Sequence, residues 1–232
     1  MIIIRKALER GKTDIDWLQS YHTFSFSNYH DPQNVHFRNI RVINDDYIAP
    51  SKGFPTHPHN DMEIITFIDK GELAHTDSLG NGSTIKAGDI QKMTAGSGIL
   101  HSEYNPSATD DVHLYQIWIF PNKKGLTPSY EQVTYDKLQA KNDFLLLASQ
   151  GSDKSAVQVN QDVSLYLSIL EKGGDIVYQI KQGRYVWIQV VSGDLRVNEN
   201  IVSTGDGLAI SNESLITCKA VADSKILLFD LG

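Results

Sequence analysis

The chemistry in this chain is concentrated in two short segments, His57-Pro58-His59 and His101-Ser102-Glu103. Residues two apart on a strand point to the same face, so each segment presents a pair of side chains together. Pro58 faces the other way and suits an edge strand or a strand start, where no ladder N–H is needed. On neighbouring strands the two segments would bring three imidazoles and a carboxylate, those of His57, His59, His101 and Glu103, to one point. That donor set fits a borderline divalent ion: iron, nickel, copper, cobalt, manganese or zinc. It is too rich in nitrogen for magnesium or calcium. Glu63 competes for the carboxylate role, since it lies four residues past His59 and can also face inward on a strand. Spacing does not choose between Glu63 and Glu103.

The histidine distribution sharpens this reading. All eight histidines, at 22, 30, 36, 57, 59, 75, 101 and 113, precede residue 123. The second half is therefore expected to be structural, or a lid, with no second centre of the same kind. His75 and His113 are expected to pack or to lie at the surface, with lining of a cavity as the other option. His22, His30 and His36 are expected to be structural. The one cysteine, Cys218, cannot form an internal disulfide. It also argues against a structural zinc, which usually draws on several thiolates and closes every coordination position.

The elements that must position these groups are strands. Runs rich in Val, Ile, Tyr, Phe and Trp recur at 41–43, 63–68, 113–120, 164–170, 185–191 and 225–231, punctuated by Gly, Asn, Asp and Ser. The segments at 78–82 and 192–194 have hairpin chemistry, because Gly and Asn accept positive φ cheaply. Helix signals are confined to Tyr130–Ala140 and a short turn near 14–20. Gly71 followed by Gly88-Asp89 is echoed by Gly193 followed by Gly205-Asp206. Such a repeat predicts an all-β protein of two tandem barrels. The connection is placed at 121–139. Residues 1–122 then form the metal-bearing barrel and 123–232 a barrel without ligands, whose last strand is free to cross back to the first.

Composition narrows the function classes. The chain has 232 residues, 41% hydrophobic and 21% charged, with a formal net charge of −7. An acidic surface repels phosphate backbones, and Lys123-Lys124 is too short a basic cluster to offset it, so direct nucleic-acid binding is excluded. The apolar start Met1-Ile2-Ile3-Ile4 is too short for a leader, and no apolar run approaches the roughly 20 residues of a membrane span. A cytoplasmic protein is expected.

Longer stretches carry a resemblance. Gly53-Phe54-Pro55-Thr56-His57-Pro58-His59 with Asp61-Met62-Glu63 and Gly71 resembles the first cupin motif. Gly88-Asp89, Gly96-Ser97-Gly98-Ile99-Leu100-His101 and Asn105 resemble the second, with Gly96 where proline is usual. More narrowly, residues 17–26, 41–46, 56–63 and 98–105 resemble the pirin family, and especially bacterial pirin-like proteins with quercetinase activity. The resemblance implies a bicupin of double-stranded β-helix type with one metal ion in the N-terminal barrel. It implies His57, His59, His101 and Glu103 as ligands and leaves Glu63 as a neighbour. It also implies quercetin 2,3-dioxygenase activity: a flavonol and dioxygen as substrates, carbon monoxide as a product, and Glu103 as both ligand and proton acceptor. The competing function is a metal-containing regulatory protein that acts through a protein partner without turnover of its own. A monomer is the family expectation.

Overall fold

A computed structural model describes residues 1–151 and 155–232. The alternating runs become antiparallel strands, as β-branched and aromatic side chains favour. They are β1 (Ile2–Arg5), β2 (Gly11–Ile15), β3 (Leu18–His22), β4 (Ile40–Ile48), β5 (Gly53–His59), β6 (Glu63–Lys70), β7 (Glu72–Asp77), β8 (Gly82–Lys86), β9 (Asp89–Thr94), β10 (Ile99–Tyr104), β11 (Val112–Ile119) and β12 (Ser129–Thr134), with ten more following. The helical residues described are two single 3-10 turns, Ala7–Glu9 and Lys137–Ala140. Among the described residues, no helix is long and apolar enough to cross a membrane.

The chain divides into two compact units. One comprises Gly11–Tyr135 and Gln150–Gln161. Its larger sheet runs β12-β9-β6-β11-β4-β3-β2 and its smaller sheet β5-β10-β7-β8. Apolar side chains from both sheets, among them Ile68, Leu73, Ile85 and Leu114, fill part of the space between them. Each such side chain stabilises the fold by about 1.5–3 kcal/mol. Strand β5 is the edge of the smaller sheet and, among the described residues, pairs with β10 alone, so Pro55 and Pro58 interrupt no ladder. The β7–β8 turn is pinned by the buried Asp77, whose Oδ1 accepts the N–H groups of Leu79 and Asn81 at 2.9 and 3.1 Å.

The other unit comprises Met1–Arg10, Asp136–Ser149 and Asp162–Gly232. Its main sheet includes, in order, β1, Gly207–Ile210, Tyr185–Ser192, Ser224–Leu231, Val163–Leu170 and Leu145–Ser149. Its second sheet runs Asp175–Gln179, Leu215–Ala220, Asp194–Val197, Asn200–Ser203. Ile188, Val190, Leu195, Val202, Cys218 and Leu228 belong to the apolar core of this unit. Burial pushes the Cys218 thiol up to about 12, so it is an inert core group.

Three expectations need correction. Tyr130–Ala140 is not a helix: Ser129–Thr134 pairs with β9, and only Lys137–Ala140 forms a single 3-10 turn. Strand pairing overrides local propensity there. The segment near 14–20 is a hairpin in which β2 pairs with β3. The last strand stays between Tyr185–Ser192 and Val163–Leu170; it is β1 that pairs far along the chain, with Gly207–Ile210. The division therefore does not fall at one point near residue 122, because β1 and β12 are each claimed by a distant partner strand.

His113 illustrates a packed histidine. Its Nε2–H donates to Asp45 Oδ1 at 2.7 Å and its Nδ1–H to Asp69 Oδ2 at 3.1 Å, while the Tyr47 ring stacks on it at 4.1 Å. Burial alone would lower its pKa, but the hydrogen bonds to the two carboxylates outweigh burial and raise it to about 9. A group whose pKa rises on folding stabilises the native state below its unfolded value, near 6.5, and loses that contribution as pH climbs to about 9. The stability gap between wild type and His113→Gln is expected to be on the order of 3 kcal/mol at pH 6 and to close by pH 10. Urea midpoints at the two pH values measure it, and a gap that does not shrink contradicts the ion-paired imidazolium.

Candidate metal centre

The two sequence segments are neighbours. Strands β5 and β10 pair antiparallel, with His101 opposite His57 and Ile99 opposite His59. The register then shifts, so that Glu103 faces Phe54. Two residues of β10 span three of β5, a bulge that re-aims the side chains beside it. The rings of His57, His59 and His101 converge with centroids 4.4–4.8 Å apart. One nitrogen from each lies within 4.8 Å of the other two.

Hydrogen bonds fix the tautomers. His57 Nδ1 is 2.8 Å from the Pro55 carbonyl, which can only accept. Nδ1 therefore carries the proton, and the Nε2 lone pair is free for an ion. His101 Nδ1 contacts His75 Nδ1 at 3.5 Å, and His75 Nε2 contacts Asp77 Oδ2 at 3.4 Å. His101 Nε2 is buried without a hydrogen-bond partner. Burial, then the neighbouring imidazoles, push His101 down to about 2; burial and His57 push His59 down to about 4. Both rings are neutral at pH 7, the form that ligates. An orphaned imidazole nitrogen in the interior is costly, and a divalent ion at that point removes the cost, so the residues present fit such an ion.

Glu103 faces His75 across the β10–β7 ladder. Gln116 Nε2 donates to both of its carboxylate oxygens at 2.9 Å. Burial, reinforced by the Asp46 carboxylate, raises Glu103 to about 8; a cation nearby reverses that trend. Glu103, His75 and His101 form a second group whose ligand atoms lie within 4.8 Å of one another. His101 is thus common to both groups. Glu63 belongs to neither. Its Oε2 accepts from Thr94 Oγ1 and the Asn160 backbone N–H, both at 3.1 Å, in a separate buried cluster.

A cavity of about 380 Å³ reaches His57, His59 and Glu103. Leu18, Phe26, Phe54 and Trp118 give it an apolar wall, and Asn44 and Asp46 a polar one. Trp118 meets His59 edge-on at 4.9 Å, and its indole N–H donates to Gln116 Oε1 at 3.1 Å. The dimensions and the mixed lining suit a flat ring system.

Several contributors were not singled out from sequence. His22, expected to be structural, lines the cavity, held by Thr13 at 2.9 Å and Asn44 at 2.8 Å. His75, expected to pack or to lie at the surface, is packed in the interior beside His101. Asn44 with Asp46 and Gln116 with Trp118 repeat the i, i+2 spacing of the histidine pair on β4 and β11. Polar residues on one face of otherwise apolar strands were the available signal. His30 and His36 are exposed, and the latter bonds the Arg38 carbonyl at 3.0 Å.

Comparison with known proteins accounts for the whole chain. A family model described as Pirin matches residues 4–119, and one described as Quercetinase C-terminal cupin domain matches residues 146–231. A protein of Escherichia coli named quercetin 2,3-dioxygenase is 51% identical over 231 residues, covering 100% of this chain and 99% of its own length. A pirin-like protein of Caulobacter vibrioides is 39% identical, with 99% of each covered. The solved structure of the bacterial pirin YhhW in complex with nickel(II), from Escherichia coli, is 49% identical, covers 100% of this chain and 99% of that one, and superposes with a TM-score of 0.94. With two cupin units, an N-terminal histidine cluster and this similarity over its full length, the chain belongs to the pirin family.

Proposed function

We propose that this protein is a cytoplasmic, metal-dependent dioxygenase that opens the central ring of a flavonol such as quercetin and releases carbon monoxide. The observation that carries the reading is the convergence of the His57, His59 and His101 nitrogens within 4.8 Å beside an aromatic-walled cavity. The relatives named for quercetin 2,3-dioxygenase activity and for nickel(II) binding support it. In this reading His57, His59, His101 and Glu103 hold one divalent transition metal ion. When bound, the ion supplies Lewis acidity that lowers the pKa of a phenolic hydroxyl.

The remaining roles fall to the protein. Phe26, Phe54 and Trp118 receive the flat ring system and exclude water from it. His57 keeps its tautomer through the Pro55 carbonyl. A Glu103 oxygen accepts the substrate's hydroxyl proton, which requires that oxygen to leave its other partners during transfer. The overall change consumes one dioxygen per flavonol, retains both of its oxygen atoms in the product and expels one ring carbon as carbon monoxide.

The test uses purified protein reconstituted with nickel(II) and, separately, with each of the other candidate ions. Loss of flavonol absorbance in air, oxygen uptake and headspace carbon monoxide are expected to proceed in equal amounts, well above the free-metal rate. No turnover with any ion refutes the enzyme and leaves a metal-holding protein that acts through contacts.

A further inference from the structure

We propose that Gln116 is the positioning residue of the metal centre, aiming the Glu103 carboxylate through an amide whose own orientation is set by the indole N–H of Trp118. The inference rests on the metal-site reading above. Gln116 and Trp118 are two apart on β11 and share a face. An indole N–H can only donate, so the amide atom 3.1 Å from Trp118 Nε1 is the oxygen. The amide NH2 must then point the other way, where it meets both Glu103 oxygens at 2.9 Å and Thr66 Oγ1 at 3.4 Å. Flipping the amide would set its carbonyl against the carboxylate and its NH2 against the indole N–H. Both contacts would fail at once, so the orientation is locked.

The surroundings reinforce the lock. Across the larger sheet, His22, Asn44, Gln116 and Thr66 lie directly opposite one another on β3, β4, β11 and β6. Gln116 sits inside this polar row and is buried, as is Glu103. Trp118 meanwhile packs on His59 at 4.9 Å and on Phe26 at 5.4 Å. One indole thus touches a histidine of the cluster directly and the carboxylate through one amide. The aromatic wall of the cavity and the acidic ligand are set by the same residue.

The test measures nickel(II) affinity of the intact protein by competition with a chromophoric chelator, without substrate. Gln116→Leu is expected to weaken nickel binding about 10- to 100-fold, the range for partners that orient ligands. Trp118→Phe keeps an aromatic ring but removes the N–H together with the five-membered ring that carries it; it is expected to weaken binding about 2- to 10-fold, as for one neutral hydrogen bond. The double variant is expected to bind less weakly than the product of the two single losses, because the indole N–H acts through Gln116 while an aromatic ring stays at position 118 beside His59. A merely structural role predicts losses that add. Wild-type affinity in both single variants, or additive losses, overturns the proposal. If Gln116→Leu does not fold, the affinity of Trp118→Phe decides. A wild-type protein that holds no nickel instead overturns the metal-site reading itself.

Discussion

His101→Ala is expected to lose its metal and its flavonol turnover together. His101 is the one residue shared by both ligand groups, flanked on one side by His57 and His59 and on the other by His75 and Glu103. Without it no imidazole bridges the two sides. The loss should exceed the roughly 10- to 100-fold seen when an orienting partner is removed, so the variant should emerge from gel filtration without nickel. Oxygen uptake with quercetin should fall to the free-metal rate. The fold should survive, because the neighbouring cavity lets the site relax and the apolar core of this unit is untouched. Two carboxylate variants complete the comparison. Glu103→Gln should lose most of the metal. Glu63→Gln should retain it and lose stability instead, since Glu63 bonds Thr94 and Asn160. Full oxidation by a metal-free His101→Ala protein would defeat the proposed chemistry, and metal loss in Glu63→Gln would reassign the carboxylate.

How far the sequence could carry these conclusions depended on how local each cause was. Side-chain alternation is a property of a single strand, so the pairs His57/His59 and His101/Glu103 were legible. So was the edge position of β5, through Pro58. The tandem barrels were legible from glycines that need positive φ: Gly71 and Gly193 have φ of 81° and 89°, and Gly88 and Gly205 have 116° and 84°. What could not be read was decided by partners distant in sequence. Tyr130–Thr134 looked helical until β9 paired with it. His75 is important only because β7 sets it opposite Glu103. Glu63 and Glu103 were equivalent by spacing. They separate because β6 lies in the larger sheet, where Thr94 and Asn160 occupy Glu63, whereas β10 lies in the smaller one. Gln116 gave no local sign beyond a polar side chain two residues from Trp118 on an apolar strand; its role follows from the indole on one side and the carboxylate on the other.

Gly53→Ala is expected to damage both stability and metal binding, although residue 53 carries no ligand. A Cβ there would lie 2.1 Å from the Glu103 carbonyl oxygen and 2.6 Å from Tyr104 Cα. Both are backbone atoms of β10, so no side-chain rotation relieves the clash. One of the two strands must yield. β10 is held by β7 on its other side, whereas β5 has β10 as its single partner in the sheet. The strain therefore falls on β5, which must lift at its Gly53 end. That movement passes through the bulge to His57, four residues on and directly opposite His101. A loss of about 2–4 kcal/mol is expected, as for other strongly destabilising backbone changes, together with weaker nickel binding. Gly80→Ala separates the two effects. Its Cβ would meet nothing within 4 Å, but its φ is +90°. It should cost about 1–2 kcal/mol of backbone strain and leave nickel affinity unchanged. Excess nickel should restore part of the stability lost in Gly53→Ala, because an ion that binds only the native state pulls β5 back onto β10. Urea midpoints with and without nickel measure this directly. A Gly53→Ala protein as stable and as tight for nickel as wild type would mean that the seating of β5 on β10 does not govern the placement of His57.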